Sequence, residues 1–183
     1  MNNDTKKTPQ LIVISAGGTD RAGVVNELSK VILDCGGNIE ESRMTALGAE
    51  FAMLLLVSGN WATLGKLESA LDKLAAKSGM SVEIRKTDQR EAEIASMPFM
   101  LDIVSLDQPG IVFQVSSFLA ARNIEIGDLA TRRYAAAHTG SQMFAVQMTV
   151  NVPSTVHIAQ LRDDYFELCD RMNVDGILEP VKG

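Results

Sequence analysis

Asp20-Arg21-Ala22-Gly23-Val24-Val25 returns 87 residues later as Asp107-Gln108-Pro109-Gly110-Ile111-Val112. Reading these stretches as one motif used twice decides the fold. The likeness extends beyond the motif. Val24, Leu28, Val31 and Ile32 become Ile111, Val115, Phe118 and Leu119 at the same offset, and Asn38-Ile39 is matched with Asn123-Ile124. Phe51, Met53, Leu55 and Val57 recur as Phe144, Val146, Met148 and Val150. Leu64, Leu67, Leu71 and Leu74 recur as Ile158, Leu161, Tyr165 and Leu168. Matches in one order, with changes of offset confined to turns, predict a duplicated domain. Two copies in one chain build an internal pseudo-dimer, and the seam between copies is a natural ligand site.

Within the first copy, Leu11–Ile14 is a short β-branched run, read as a strand. Asp20 offers a side-chain acceptor to the first amides of a helix, whose apolar stripe runs Val24, Leu28, Val31, Ile32, Cys35. Gly36-Gly37 ends that helix. Strands are expected over Asn38–Thr45 and Glu50–Ser58, turning at Leu47-Gly48. A second helix carries Leu64, Leu67, Leu71 and Leu74, and Met80, Val82 and Ile84 alternate in a last strand. The order βαββαβ predicts a ferredoxin-like α+β unit: a four-stranded antiparallel sheet with both helices on one face. The second copy repeats the order, with its second helix over Thr155–Met172 and a longer hairpin around Tyr134–Gly140. Domains are expected at 10–86 and 98–180, joined by a charged linker at 87–97 in which a short helix is possible. The face bearing Ala52, Leu54 and Leu56 is more apolar than its counterpart Ala145, Gln147 and Thr149, so a covered sheet is expected in the first copy.

Composition excludes several classes. The formal net charge of −6 opposes broad binding to nucleic acid, and Arg85-Lys86 and Arg132-Arg133 are read as solvated strand ends. No apolar run is long enough for a membrane span, and the opening MNNDTKKTPQ has no apolar signal region. A cytoplasmic protein with reduced Cys35 and Cys169 is expected. His138 and His157 have no cysteine or carboxylate at metal-ligand spacing, and Gly17-Gly18 lacks the Gly-Lys-Ser/Thr of a phosphate loop. An enzyme is therefore not expected, nor a metal or cofactor. Trp61, after Gly59-Asn60, is expected to pack on the core.

The loop between first strand and first helix is the candidate site. Gly23 and Gly110 lack a Cβ, which lets a small ligand come close. The following helix N-terminus presents unpaired amides and suits a carboxylate. Asn38 and Asn123, read as starting the next strand at the same end of the sheet, have donors and acceptors for an amino acid. Asp20 and Asp107 either cap the helix or meet the ammonium, while Val24 and Ile111 restrict the ligand's size. All these residue types also occur for structural reasons alone, and spacing does not choose between the loops.

These paired motifs resemble those of ACT domains, small regulatory modules that bind amino acids. The stretch Cys35-Gly-Gly-Asn38-Ile39-Glu40-Glu-Ser42-Arg43-Met44, with Leu47-Gly48-Ala-Glu50-Phe51 and Ser58-Gly59-Asn60-Trp61, resembles the glycine cleavage system transcriptional repressor family. That resemblance implies a non-enzymatic protein. The resemblance further implies that such a protein restrains a LysR-type activator of the glycine cleavage operon by protein contact and that glycine relieves the restraint. It also implies ligand loops at Asp20, Gly23, Val24 and Asn38 and at Asp107, Gly110, Ile111 and Asn123. Ala22 departs from the family's usual proline in the first loop, and Gln108 from its usual arginine in the second. A regulatory subunit of an amino-acid metabolic enzyme is the alternative. Apolar strand faces and open edges lead us to expect a homodimer.

Overall fold

A computed structural model describes residues 10–88 and 95–181. The chain divides into two compact units, Met1–Arg90 and Glu91–Gly183. The first comprises β1 (Gln10–Thr19), α1 (Val24–Asp34), β2 (Asn38–Leu47), β3 (Glu50–Gly59), α2 (Trp61–Ser78) and β4 (Ser81–Thr87). The second comprises β5 (Ser96–Leu106), α3 (Ile111–Ala120), β6 (Glu125–Ala135), β7 (Gln142–Pro153), α4 (Ile158–Met172) and β8 (Asp175–Pro180). Each unit forms a four-stranded antiparallel sheet, in the orders β2-β3-β1-β4 and β6-β7-β5-β8. The fold is thus tandem βαββαβ, as the repeat implies.

Each unit has its own core. Ile12, Ile14, Leu55 and Val57 of the first sheet bury against Val24, Leu28 and Ile32 of α1 and Leu64, Leu67 and Leu71 of α2. In the second, Leu101, Ile103, Val146 and Val150 bury against Ile111, Val115 and Leu119 of α3 and Leu161, Tyr165 and Leu168 of α4. Alternation on the strands and three-to-four spacing on the helices put these side chains on one side. On the far face of the first sheet Leu54 stands half exposed.

Several boundaries differ from the sequence expectation. β1 continues through Gly17-Gly18 to Thr19, because β3 pairs with it along that whole length. The end strands enter the expected linker from both sides: Thr87 pairs with Leu11, and Ser96 and Met97 pair with Pro153 and Val152. The possible helix there falls mainly on residues 89–94, outside the described residues. α4 starts at Ile158 rather than Thr155, since the chain first turns, with the Val156 amide bonded to the Pro153 carbonyl at 2.9 Å. Trp61 does not pack on the core. It is the first residue of α2, after the Asn60 cap whose side chain accepts from the Thr63 amide at 2.9 Å, and it is 79% exposed. Cys35 caps the C-terminus of α1 half-buried, Cys169 is buried on α4, and both are free thiols.

Candidate functional site

The two motif loops superpose in backbone conformation. Gly23 and Gly110 directly precede α1 and α3 with φ of 96° and 94°, a left-handed region that disfavours any side chain. The first helical bonds run from the Glu27 amide to the Gly23 carbonyl (2.9 Å) and from the Gln114 amide to the Gly110 carbonyl (3.0 Å). The amides before them, Val24 to Asn26 and Ile111 to Phe113, therefore have no intrahelical acceptor. No side chain caps either helix. Asp20 is thus not the cap the sequence suggests: the glycine, in a left-handed turn, fills the cap position. The Asp20 backbone amide instead donates to the Ala49 carbonyl at 2.8 Å, tying the loop to the β2–β3 hairpin. Val24 and Ile111 are 1% and 2% exposed members of the cores, so each offers a ligand its amide rather than a selective side chain.

Register separates the asparagines from the loops. Asn38 pairs with Ser58, which pairs with Leu11 at the start of β1, whereas the Asp20–Gly23 loop follows Thr19 at its end. Roughly 25 Å of strand lies between, so Asn38 is at the opposite end of its sheet from the loop, contrary to expectation. It donates to Glu40 at 2.9 Å, and the Ser58 hydroxyl donates to the same carboxylate oxygen. Those two bonds, Ser58 first, hold the Glu40 pKa below the usual glutamate range.

Asn123 is not the counterpart of Asn38. Gly36 and Asn123 occupy the same left-handed position after their helices, with φ of 79° and 53°. Their amides bond equivalent carbonyls, Leu33 and Ala120, and the next amides bond Ile32 and Leu119. The offset therefore stays at 87, Ile39 corresponds to Ile126 opposite Val57 and Val150, and the residue at the position of Asn38 in the second unit is Glu125. Asparagine at 123 meets a backbone requirement, since it tolerates left-handed geometry better than most residues.

The two loops differ in their side chains. In the second unit Arg133 of β6 pairs with Asp107 at 2.9 Å, and the Gln108 side-chain amide donates to the Met172 carbonyl at 3.0 Å. The loop is thereby fastened to β6 and to the end of α4. In the first unit Ala46 stands at the position of Arg133, opposite Phe51 as Arg133 is opposite Phe144. The Asp20 carboxylate has no hydrogen-bond or ionic partner among the described residues. Arg21 instead grips Glu27 in a bidentate pair, both contacts 2.7 Å, which lowers the Glu27 pKa. A shallow depression of about 470 Å³ opens beside this loop, lined by Arg21, Gly23, Val25, Asn26, Ser29 and Met44 among others. Sequence reasoning took Arg133 for a solvated strand end and missed its role. Applying the 87-residue offset to β2 would have shown Ala46 facing one loop and Arg133 the other.

His138 and His157 are exposed. Among the described residues no cluster of three or more histidines, cysteines or carboxylates could hold a metal ion. No described helix is long and apolar enough to cross a membrane.

A model of the ACT domain family matches residues 10–85. Over 97% of its length the chain is 27% identical to the glycine cleavage system transcriptional repressor of Escherichia coli (strain K12), spanning 93% of that protein. Over 42% of its length it is 35% identical to a UPF0237 protein of Methanopyrus kandleri, covering 87% of that shorter chain. Among solved structures, an unknown protein from Galdieria sulphuraria matches 96% of this chain at 28% identity with a TM-score of 0.79, and all of that chain is covered.

Proposed function

We propose, from the premise that the chain belongs to the family of ACT-domain proteins and is a homologue of the glycine cleavage system transcriptional repressor, that it is a glycine-responsive regulator sensing its effector at the Asp20–Gly23 loop. One observation carries the choice of loop: among the described residues Asp20 has no partner, while Asp107 pairs with Arg133. A small amino acid is a zwitterion. Its carboxylate takes the amides that open α1, at the positive end of the helix dipole, and its ammonium takes the Asp20 carboxylate.

The output is a protein contact. The chain restrains a LysR-type activator of the glycine cleavage operon without binding DNA itself, which accords with a net charge of −6. Glycine relieves the restraint through a coupling of roughly 1–3 kcal/mol, the usual span between two linked sites. The protein acts in the cytoplasm as a homodimer, uses no cofactor or metal, and catalyses nothing.

Titration calorimetry with glycine, and with alanine and serine as controls, tests the sensor. A pull-down of the activator with and without glycine tests the output. Selective glycine heat and glycine-sensitive capture are expected. Recovery of a metabolic enzyme in place of the activator, or no response to any amino acid with the activator present, would refute the reading.

A further inference from the structure

Trp61 is the chain's only tryptophan and stands 79% exposed at the start of α2. One turn on, Gly65 lies inside the helix, where a Cβ would meet nothing within 4 Å. Packing inside the unit therefore gives no reason for glycine, although the helix loses stability by having it. Ser69 follows after another turn. Trp61, Gly65 and Ser69 border a depression of about 840 Å³ together with Lys66, Lys73 and Lys86. None of these lysines has a carboxylate partner among the described residues. Among the described residues Glu68 is the one acidic residue lining the depression. A locally cationic patch in a chain of net charge −6 is selective for acidic groups at short range, and an exposed indole beside a bare stretch of helix backbone is the usual form of an interface anchor.

We propose that this face of α2 docks an acidic protein segment bearing a large apolar side chain. The apolar group packs against Trp61 over Gly65, and the carboxylates meet Lys66, Lys73 and Lys86. The inference rests on the reading that the chain works through a protein contact, and it places that contact on the first unit.

Trp61 is its own reporter. The full-length chain is titrated separately with the LysR-type activator and with a synthetic amphipathic Leu/Glu peptide, following indole emission and calorimetric heat. A Leu/Lys peptide of equal length is the control. Expected is a blue shift with the activator and the acidic peptide but not the basic one. Affinity should fall by roughly 30-fold in Trp61→Ala, the effect of truncating a central anchor. It should fall further in Lys66→Glu/Lys73→Glu, and remain at the wild-type level in Phe113→Ala, whose equally exposed ring lies in the second unit. Activator binding that all three variants share equally overturns the docking face and leaves the proposed function standing. An activator that ignores the wild-type chain while the acidic peptide still engages Trp61 removes the proposed partner and keeps the docking face. If neither titrant moves the emission, the docking face is refuted. A change of oligomeric state in Trp61→Ala with unchanged activator binding assigns the surface to self-association and likewise refutes it.

Discussion

Replacing Gly23 or Gly110 with alanine separates the structural demand on the loops from their use. The two glycines have nearly the same φ, 96° and 94°. Nor does a Cβ meet steric resistance at either. The nearest atom to it is Glu27 Oε1 at 4.0 Å in one loop and Gln114 Nε2 at 3.9 Å in the other, both ends of flexible side chains. The penalty is therefore conformational and equal. A left-handed alanine costs about 1–2 kcal/mol, offset by about 0.4–1 kcal/mol from its lower entropy in the unfolded chain. A net loss of about 1 kcal/mol lowers the melting temperature of a unit this size by about 4–8 °C. Calorimetric melting should show similar losses for Gly23→Ala and Gly110→Ala. Glycine titration at a temperature where both are folded should not. Gly23→Ala weakens binding because the new methyl group stands where the ligand approaches the amides, whereas Gly110→Ala binds as the wild type does. Loss of binding in Gly110→Ala alone would refute the assignment to the first loop. Unchanged melting in both variants would refute the account of the glycine cap.

At Asn123 the reassignment to a helix end predicts that Asn123→Gly folds at least as stably as the wild type. Asn123→Ala should lose about 1 kcal/mol in denaturant unfolding, and glycine titration should be unaffected by either. Gly176→Ala would place a Cβ 2.4 Å from Cys169 Sγ and 2.7 Å from the Tyr165 hydroxyl oxygen, so a loss of about 1–3 kcal/mol is expected from overpacking. A double-mutant cycle with Cys169→Ala should recover part of it, and strict additivity would argue against the clash. Asp164 is held below the usual aspartate range first by its bond to Arg122 (2.6 Å) and then by Gln160. Its folded pKa is thus lower than its unfolded one. Its contribution is complete above the unfolded value and is lost as pH falls through the folded value, so Asp164→Asn should lower the melting temperature near neutral pH, converge with the wild type in acid, and so flatten the acidic limb of the profile.

The fold was legible because duplication supplied two readings of each element. The apolar sets on α1, α2, β3 and their counterparts are the ones that bury. The errors arose where one residue type serves two purposes. Asn38 and Asn123 share a letter and a neighbouring isoleucine, yet one begins an edge strand and the other ends a helix in left-handed geometry. Asp20 has the chemistry of a cap, but a cap needs extended backbone beside the helix, and the left-handed Gly23 intervenes. Trp61 stands at the helix entry the sequence indicates, but its place before the first buried turn of α2 turns it outward instead of onto the core. The contrast between the loops was invisible for a different reason. Arg133 reaches Asp107 from a strand 26 residues away, and only strand register brings such positions together.

Among the described residues each unit builds its core from its own side chains, and this bears on how the protein is made. Every strand and helix of the first unit has been translated by Thr87. At roughly 5–20 residues per second, the ribosome needs several seconds more to supply the rest, while isolated helices and hairpins form within microseconds. The N-terminal half thus has time to collapse before its look-alike emerges. That order of events guards against the hazard peculiar to neighbouring repeats, in which a strand of one copy takes the place of its twin in the other. Refolding from denaturant removes the head start, and exchanged strands are the misfolded product to look for there.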